Sequence, residues 1–167
     1  KTFSPQRYEI WTMQSDYHNL PTLNGYMQQN GPEYKATDVK YNFCSDICEI
    51  EMELASAYPR ECGISSYKRQ AVLYKDSQIT ITDQYTSGGK ADIILHFMTY
   101  EKPTSVASSD GLSFEIGHLG TLSLSNGALI GIEEFPIADA RLMQTWKHPI
   151  YRINVSLSSD AVTMIIK

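Results

Sequence analysis

The chain has 167 residues and 42% of them are hydrophobic, enough for one domain with a substantial core. Its formal net charge of −5 argues against nucleic acid as a partner, because phosphate binding wants a basic face; it argues only weakly against an anionic polysaccharide, since a local basic patch can sit on an acidic protein. No apolar run approaches the roughly 18–20 residues that span a bilayer, so no membrane span is expected.

Lys1-Thr2-Phe3-Ser4-Pro5 has no signal-peptide character and leads into an apolar, strand-like run from Tyr8 to Met13. With no initiator Met, the chain reads as a piece of something longer. The stretch from Ser15 to Gly31 follows. It is dense in groups that do chemistry or bind polar ligands: His18, Asn19, Asn24, Gln28, Tyr17, Tyr26 and Asp16. Asn24-Gly25 and Asn30-Gly31-Pro32 are turn signals, and Pro21 holds Leu20 extended. A polar loop or hairpin fixed at several points is expected there.

Beyond it the dominant signal has period two. Cys48, Ile50, Met52 and Leu54 alternate with Glu49, Glu51 and Glu53, a half-buried strand with an acidic, solvated outer face. Cys44 and Cys48 are expected on that one strand, near 13 Å apart at about 3.3 Å per residue and too far for a disulfide. The third cysteine, Cys62, makes the count odd, and no Cys-x-x-Cys pair offers a zinc–thiolate site. Ala55 to Gly63 breaks the alternation as a loop. Tyr67–Tyr74 and Gln78–Gln84 read as two strands. The next, Ala91 to Met98, is apolar on both sides and should be central. Leu112–Ile116, Leu119–Leu124, Ala128–Glu133, Tyr151–Leu157 and Ala161–Ile166 complete the set. Ser125-Asn126-Gly127 reads as a hairpin turn, and Ala138–Trp146 as a helical turn or a strand. Ten or eleven short strands with turn signals every 8–12 residues predict an all-β antiparallel sandwich, one domain over 1–167.

No nucleophile elbow and no phosphate cradle is present. His96 reads as a packed or hydrogen-bonded strand histidine; His118 and His148 read as turn residues. Tyr58 and Arg60 could bind a sugar acid, since a guanidinium matches a carboxylate bidentately. The plainer alternative has Tyr58 plugging the sandwich edge and Arg60 pairing with Glu61 or a strand carboxylate. Trp11, Tyr17 and Tyr26 could stack on sugar rings, although Trp11 suits a core.

Three blocks add a resemblance. Arg7-Tyr8-Glu9-Ile10-Trp11 with Ser15-x-Tyr17-His18-Asn19-x-Pro21-x-x-Asn24-Gly25-x-x-Gln28 resembles a segment of heparinase II/III-like polysaccharide lyases. Glu53-Leu54-x-x-Ala57-Tyr58-Pro59-Arg60-Glu61-Cys62-Gly63 resembles a second, with Glu53 in an Asp position and Cys62 in an Ala position. Arg69, then Ile79-x-Ile81-x-Asp83 and Leu95-x-Phe97-Met98-Thr99, resembles its strands. The likeness covers residues 7 to about 103 and thins afterwards.

The resemblance implies a β-sandwich from a lyase that breaks uronic-acid bonds of an acidic, glycosaminoglycan-like polysaccharide by β-elimination. It implies an N-terminal α-helical domain of the same parent as partner, a periplasmic or secreted setting, and no activity for this chain alone. It makes His18 a candidate ligand for a zinc in the full-length parent, with its co-ligands upstream and no cofactor expected in this chain by itself. Asn19, Asn24, Tyr58 and Arg60 become candidate substrate-binding residues. The three cysteines sit less well with an oxidising compartment. The alternatives are a non-catalytic carbohydrate-binding sandwich and a structural one. The structural role predicts an exposed apolar patch where the helical domain would dock.

Overall fold

Alternating apolar residues leave each strand with one face to bury, and two antiparallel sheets bury them against each other. The computed structural model describes residues 3–167; Lys1 and Thr2 of the expected leader-free start lie outside them. The small sheet has the order β1 (Pro21–Leu23), β6 (Ile93–Thr99), β11 (Ile150–Ser156), β10 (Ala128–Phe135). The large sheet runs β2 (Thr37–Phe43), β3 (Ile47–Glu53), β4 (Ile64–Tyr74), β5 (Gln78–Ser87), β12 (Ala161–Ile166), β9 (Gly120–Leu124), β8 (Leu112–Ile116), β7 (Pro103–Val106). One helical turn, α1 (Leu142–Thr145), interrupts the β10–β11 connection. The all-β sandwich is therefore what forms.

β6 is interior to the small sheet, as its two-sided apolarity predicts. Its Leu95 and Phe97 meet Ile153 and Val155 of β11 and Phe114, Leu122, Leu124, Val162 and Met164 of the large sheet. A second cluster gathers Leu23, Ile93, Leu54, Tyr58, Cys62, Ile64 and Tyr67. Each such fully buried aliphatic side chain stabilises the fold by about 1.5–3 kcal/mol.

Several expectations are corrected. Tyr8–Met13 is not a strand: Pro5–Glu9, Trp11–Met13 and Ser15–Tyr17 are successive 3-10 turns. Trp11 packs outside the core, its ring 6.0 Å from Phe135 and 5.1 Å from Tyr17, on the outer face of the small sheet. Cys44 and Cys48 do not share a strand. The Ser45-Asp46 tip closes a hairpin between them, Phe43 facing Cys48, and all three cysteines are free. Ser125-Asn126-Gly127 joins β9 to β10, which lie in different sheets, so it is a sheet-crossing turn. There Gly127 has φ +121, and a Cβ would stand 2.6 Å from Val155. β2 escaped the sequence reading because Asp38 is left-handed, at φ 50, and a register shift between Thr37 and Lys40 breaks its alternation.

Four strands cannot cover eight. Pairing register aligns Tyr41, Ile50, Ala71, Ile81 and Met164 across the large sheet, and Phe43, Cys48, Leu73, Ile79 and Ile166 in the next row. Both rows share the core-facing side. Met164 is buried, but Tyr41 is 76% exposed and Phe43 71% exposed, because nothing in the small sheet lies over β2 and β3. The expected apolar patch is present.

Candidate functional site

The block from His18 to Tyr26 is held at every turn. Asn24 (φ 49) and Gly25 (φ 81) make the tight reversal, with Leu23 bridged to Tyr26. The Asn24 side chain donates Nδ2–H to the Cys62 carbonyl at 2.7 Å and accepts the Asp92 N–H at 2.6 Å. Asn19 Oδ1 accepts the Met98 N–H at 2.8 Å, extending the sheet edge that three-residue β1 leaves open. Tyr58, only 2% exposed, donates its hydroxyl to the Pro21 carbonyl at 2.6 Å. Burial raises its pKa well above the usual phenol range, against the opposing charge of Arg69. Asn24 and Tyr58 thus spend their polar atoms inside the fold.

A charged layer beneath the block went unread as a network. Arg69 grips Asp83 with two donors, Nε to Oδ1 at 2.7 Å and Nη2 to Oδ2 at 2.6 Å, while its Nη1 donates to the Asn19 carbonyl at 2.7 Å. Tyr67 adds its hydroxyl to Asp83 at 2.7 Å. Burial alone would lower the Arg69 pKa, but the Asp83 carboxylate outweighs it and raises it. The pattern, Arg and Asp facing each other on paired strands, was visible only through the resemblance. Glu53 leaves the expected solvated face in the same region. It accepts from Ala55 N–H, Tyr67 N–H and Ser66 Oγ at 2.6–2.8 Å. Burial pushes its pKa up, yet these hydrogen bonds together hold it below the ordinary carboxylate value.

His18, Asn19 and Arg60 are the exposed candidates. His18 lines a depression of about 450 Å³ with Tyr8, Gln14, Gln28 and Asn30, its Nε2 lying 3.2 Å from the Thr12 carbonyl. Arg60 lines another, of about 520 Å³, with Glu33, Tyr34, Ser56 and Ser65. Its guanidinium makes no ion pair or hydrogen bond among the described residues, so neither the pairing with Glu61 nor one with a strand carboxylate forms. The two residues do not share a hollow. Met27–Asn30 border the first and Glu33–Tyr34 the second, and Gln29 N–H ties that strip to the Ala57 carbonyl at 3.1 Å. Tyr26 is exposed beside it. Among the described residues no three His, Cys, Asp or Glu side chains gather as a metal site. These residues alone therefore do not fit a zinc at His18.

His96 is 6% exposed on the outer face of the small sheet. Asn154 gives Nδ2–H to Glu133 at 2.8 Å and turns its Oδ1 to His96 Nδ1 at 2.7 Å. Thr22 Oγ1 stands 2.6 Å from His96 Nε2 and 2.8 Å from Asp16. Burial lowers the His96 pKa, against the Asn154 hydrogen bond and the Asp16 charge. Packed and hydrogen-bonded is the outcome expected for it.

The fold has counterparts among solved structures. The heparan sulfate lyase HepC from Pedobacter heparinus superposes with TM-score 0.63 at 13% identity, over 96% of this chain and 25% of that one. A heparinase III superposes with TM-score 0.57 at 12% identity, over 98% of this chain and 25% of that one. Heparan sulfate lyases share this fold. A heparinase III gene product matches likewise, with TM-score 0.56 at 15% identity. The chain spans about a quarter of the length of these lyases. No protein-family model matches the sequence, and no curated protein does.

Proposed function

We propose that this sandwich is one wall of the substrate cleft of a polysaccharide lyase acting on a uronic-acid-containing, glycosaminoglycan-like chain, in a periplasmic or secreted setting. The observation that carries the reading is the joint one. The fold matches heparan sulfate lyases across nearly the whole chain, and the His18–Tyr26 block is rigidly mounted between two polar depressions. In β-elimination the C5 proton leaves to a base, its electron pair forms the C4–C5 double bond, and the C4–oxygen bond breaks with the oxygen taking up a proton. Neutralising the uronate carboxylate makes that C5 proton removable. Arg60, exposed and unpaired among the described residues, is the group here suited to that carboxylate, bidentately. His18 borders the neighbouring depression as a hydrogen-bonding or zinc-ligating group, a zinc there needing ligands from outside these residues. Asn19, Asn24 and Tyr58 position the block. The base is expected from the preceding helical domain.

The test is ultraviolet absorbance of the new double bond on heparan sulfate, chondroitin, hyaluronan and alginate, using the longer parent. Wild type should be active on one of them. Arg60→Ala should cost roughly 10²-fold or more in kcat/KM. His18→Ala should lower activity and zinc content together. The 167-residue chain alone should be inactive and should bind no stoichiometric zinc. A parent silent on every substrate would overturn the lyase reading. A structural role has its own support in the bare Tyr41–Phe43 rows, which suit docking of the parent's helical domain.

A further inference from the structure

β10 and β11 pair directly, Phe135 facing Ile150, yet residues 136–149 separate them. Neighbouring antiparallel strands need only a short connection, and excursions this long usually carry function. This one is built. Asp139 Oδ1 accepts the N–H groups of Arg141 and Leu142 at 2.8 and 3.1 Å, which fixes α1. The chain then presents Trp146, Lys147 and His148, all exposed. Tyr100, in the β6–β7 turn, stacks on His148 with centroids 4.0 Å apart at 29° and meets Trp146 at 5.6 Å and 50°. The adjacent Glu101 braces a third loop through His118, Nδ1 at 2.5 Å and backbone N–H at 2.9 Å. Two loops therefore meet in one ring cluster, and a third is tied to the residue next to it. Lys102 and Lys147, beside those rings in sequence, are exposed and have no ion pair among the described residues. Two unneutralised cations here run against a chain of net charge −5.

We propose that Tyr100, Trp146 and His148, with Lys147 and Lys102, form a glycan subsite that stacks a pyranose ring and pairs its anionic group. Rings offer flat apolar faces to the C–H face of a sugar, and the lysines supply charge that an acidic sugar needs. The subsite sits at the end of the small sheet that Asn19 also reaches through Met98, so one polysaccharide could lie across both. It rests on the glycan reading above but needs no chemistry from it.

The test is binding of size-defined heparan sulfate and alginate oligosaccharides to the 167-residue chain by calorimetry. Wild type should bind one of them. Trp146→Ala should weaken it roughly tenfold, the scale of one aromatic contact, while Trp146→Phe largely retains it. Lys147→Gln should weaken it and flatten its salt dependence. Tyr41→Ser, on β2 at the opposite edge of the large sheet from β7, should leave this affinity within about twofold, and unchanged amide spectra of the core strands should show each variant folded. No binding by wild type, or equal binding by Trp146→Ala and Lys147→Gln, overturns the subsite; the double-bond assay on the parent then still decides the lyase reading separately.

Discussion

Arg69 and Asp83 show how much a single pair can hold. Asp83 is 1% exposed and the Arg69 side chain 13%, so removing one strips a largely buried group of its partner. Arg69→Ala should cost about 3–5 kcal/mol in the denaturant midpoint and free Asn19, whose carbonyl it also holds. Asn24→Ala loses two hydrogen bonds and a tolerated left-handed φ, for an expected cost of about 1–3 kcal/mol by the same measurement. The pH dependence follows from two groups. Burial lowers the His96 pKa in the folded state, so the unfolded chain takes the proton more readily. Stability should therefore fall as pH drops below the ordinary histidine value. Glu53 is also held low, so its contribution is present above the ordinary carboxylate value and is lost as pH falls through the folded one. Midpoints measured across pH for wild type, His96→Gln and Glu53→Gln should separate the two windows, each variant flattening its own. At this scale the sequence marked the turn in this block but not what its side chains hold. Asn24-Gly25 announces a turn by residue type alone, whereas the Asn24 side chain reaches Cys62 and Asp92, partners 38 and 68 residues away that no local pattern names.

Among elements, periodicity was legible wherever both neighbours of a strand were in place. β5, β6, β11 and β12 lie close to their expected bounds because alternation there reports a covered face. It failed where tertiary context decides. Tyr8–Met13 has strand-like composition but pairs with no strand, and it winds into 3-10 turns that lay Trp11 on Phe135. Ser125-Asn126-Gly127 has hairpin residues, yet the strands on its two sides enter different sheets. β3 alternates as a half-buried strand should, yet its Ile50 and the Tyr41 and Phe43 of β2 beside it are left uncovered. Tyr41→Ser with Phe43→Ser should therefore change stability by no more than about 1 kcal/mol while cutting fluorescent apolar-dye binding. A large stability loss would mean those side chains are already packed.

The whole molecule is lopsided, four strands laid over eight, with its surplus face apolar. In a parent some four times longer, as in the lyases that share the fold, hydroxyl-radical footprinting should find Tyr41 and Phe43 protected, and exposed again in the 167-residue chain. Equal labelling in both would leave that face free in the parent too. The order of the large sheet has one more consequence. β12, the last strand in sequence, sits between β5 and β9, the sole link joining β2–β5 to β9–β7. Until residues 161–166 arrive, the two halves are separate ribbons with open edges, and a chain stopped short of Ala161 would display two sticky borders instead of one finished wall. The continuity of the eight-stranded wall thus hangs on six residues, and a variant that unpairs them should aggregate through both exposed borders.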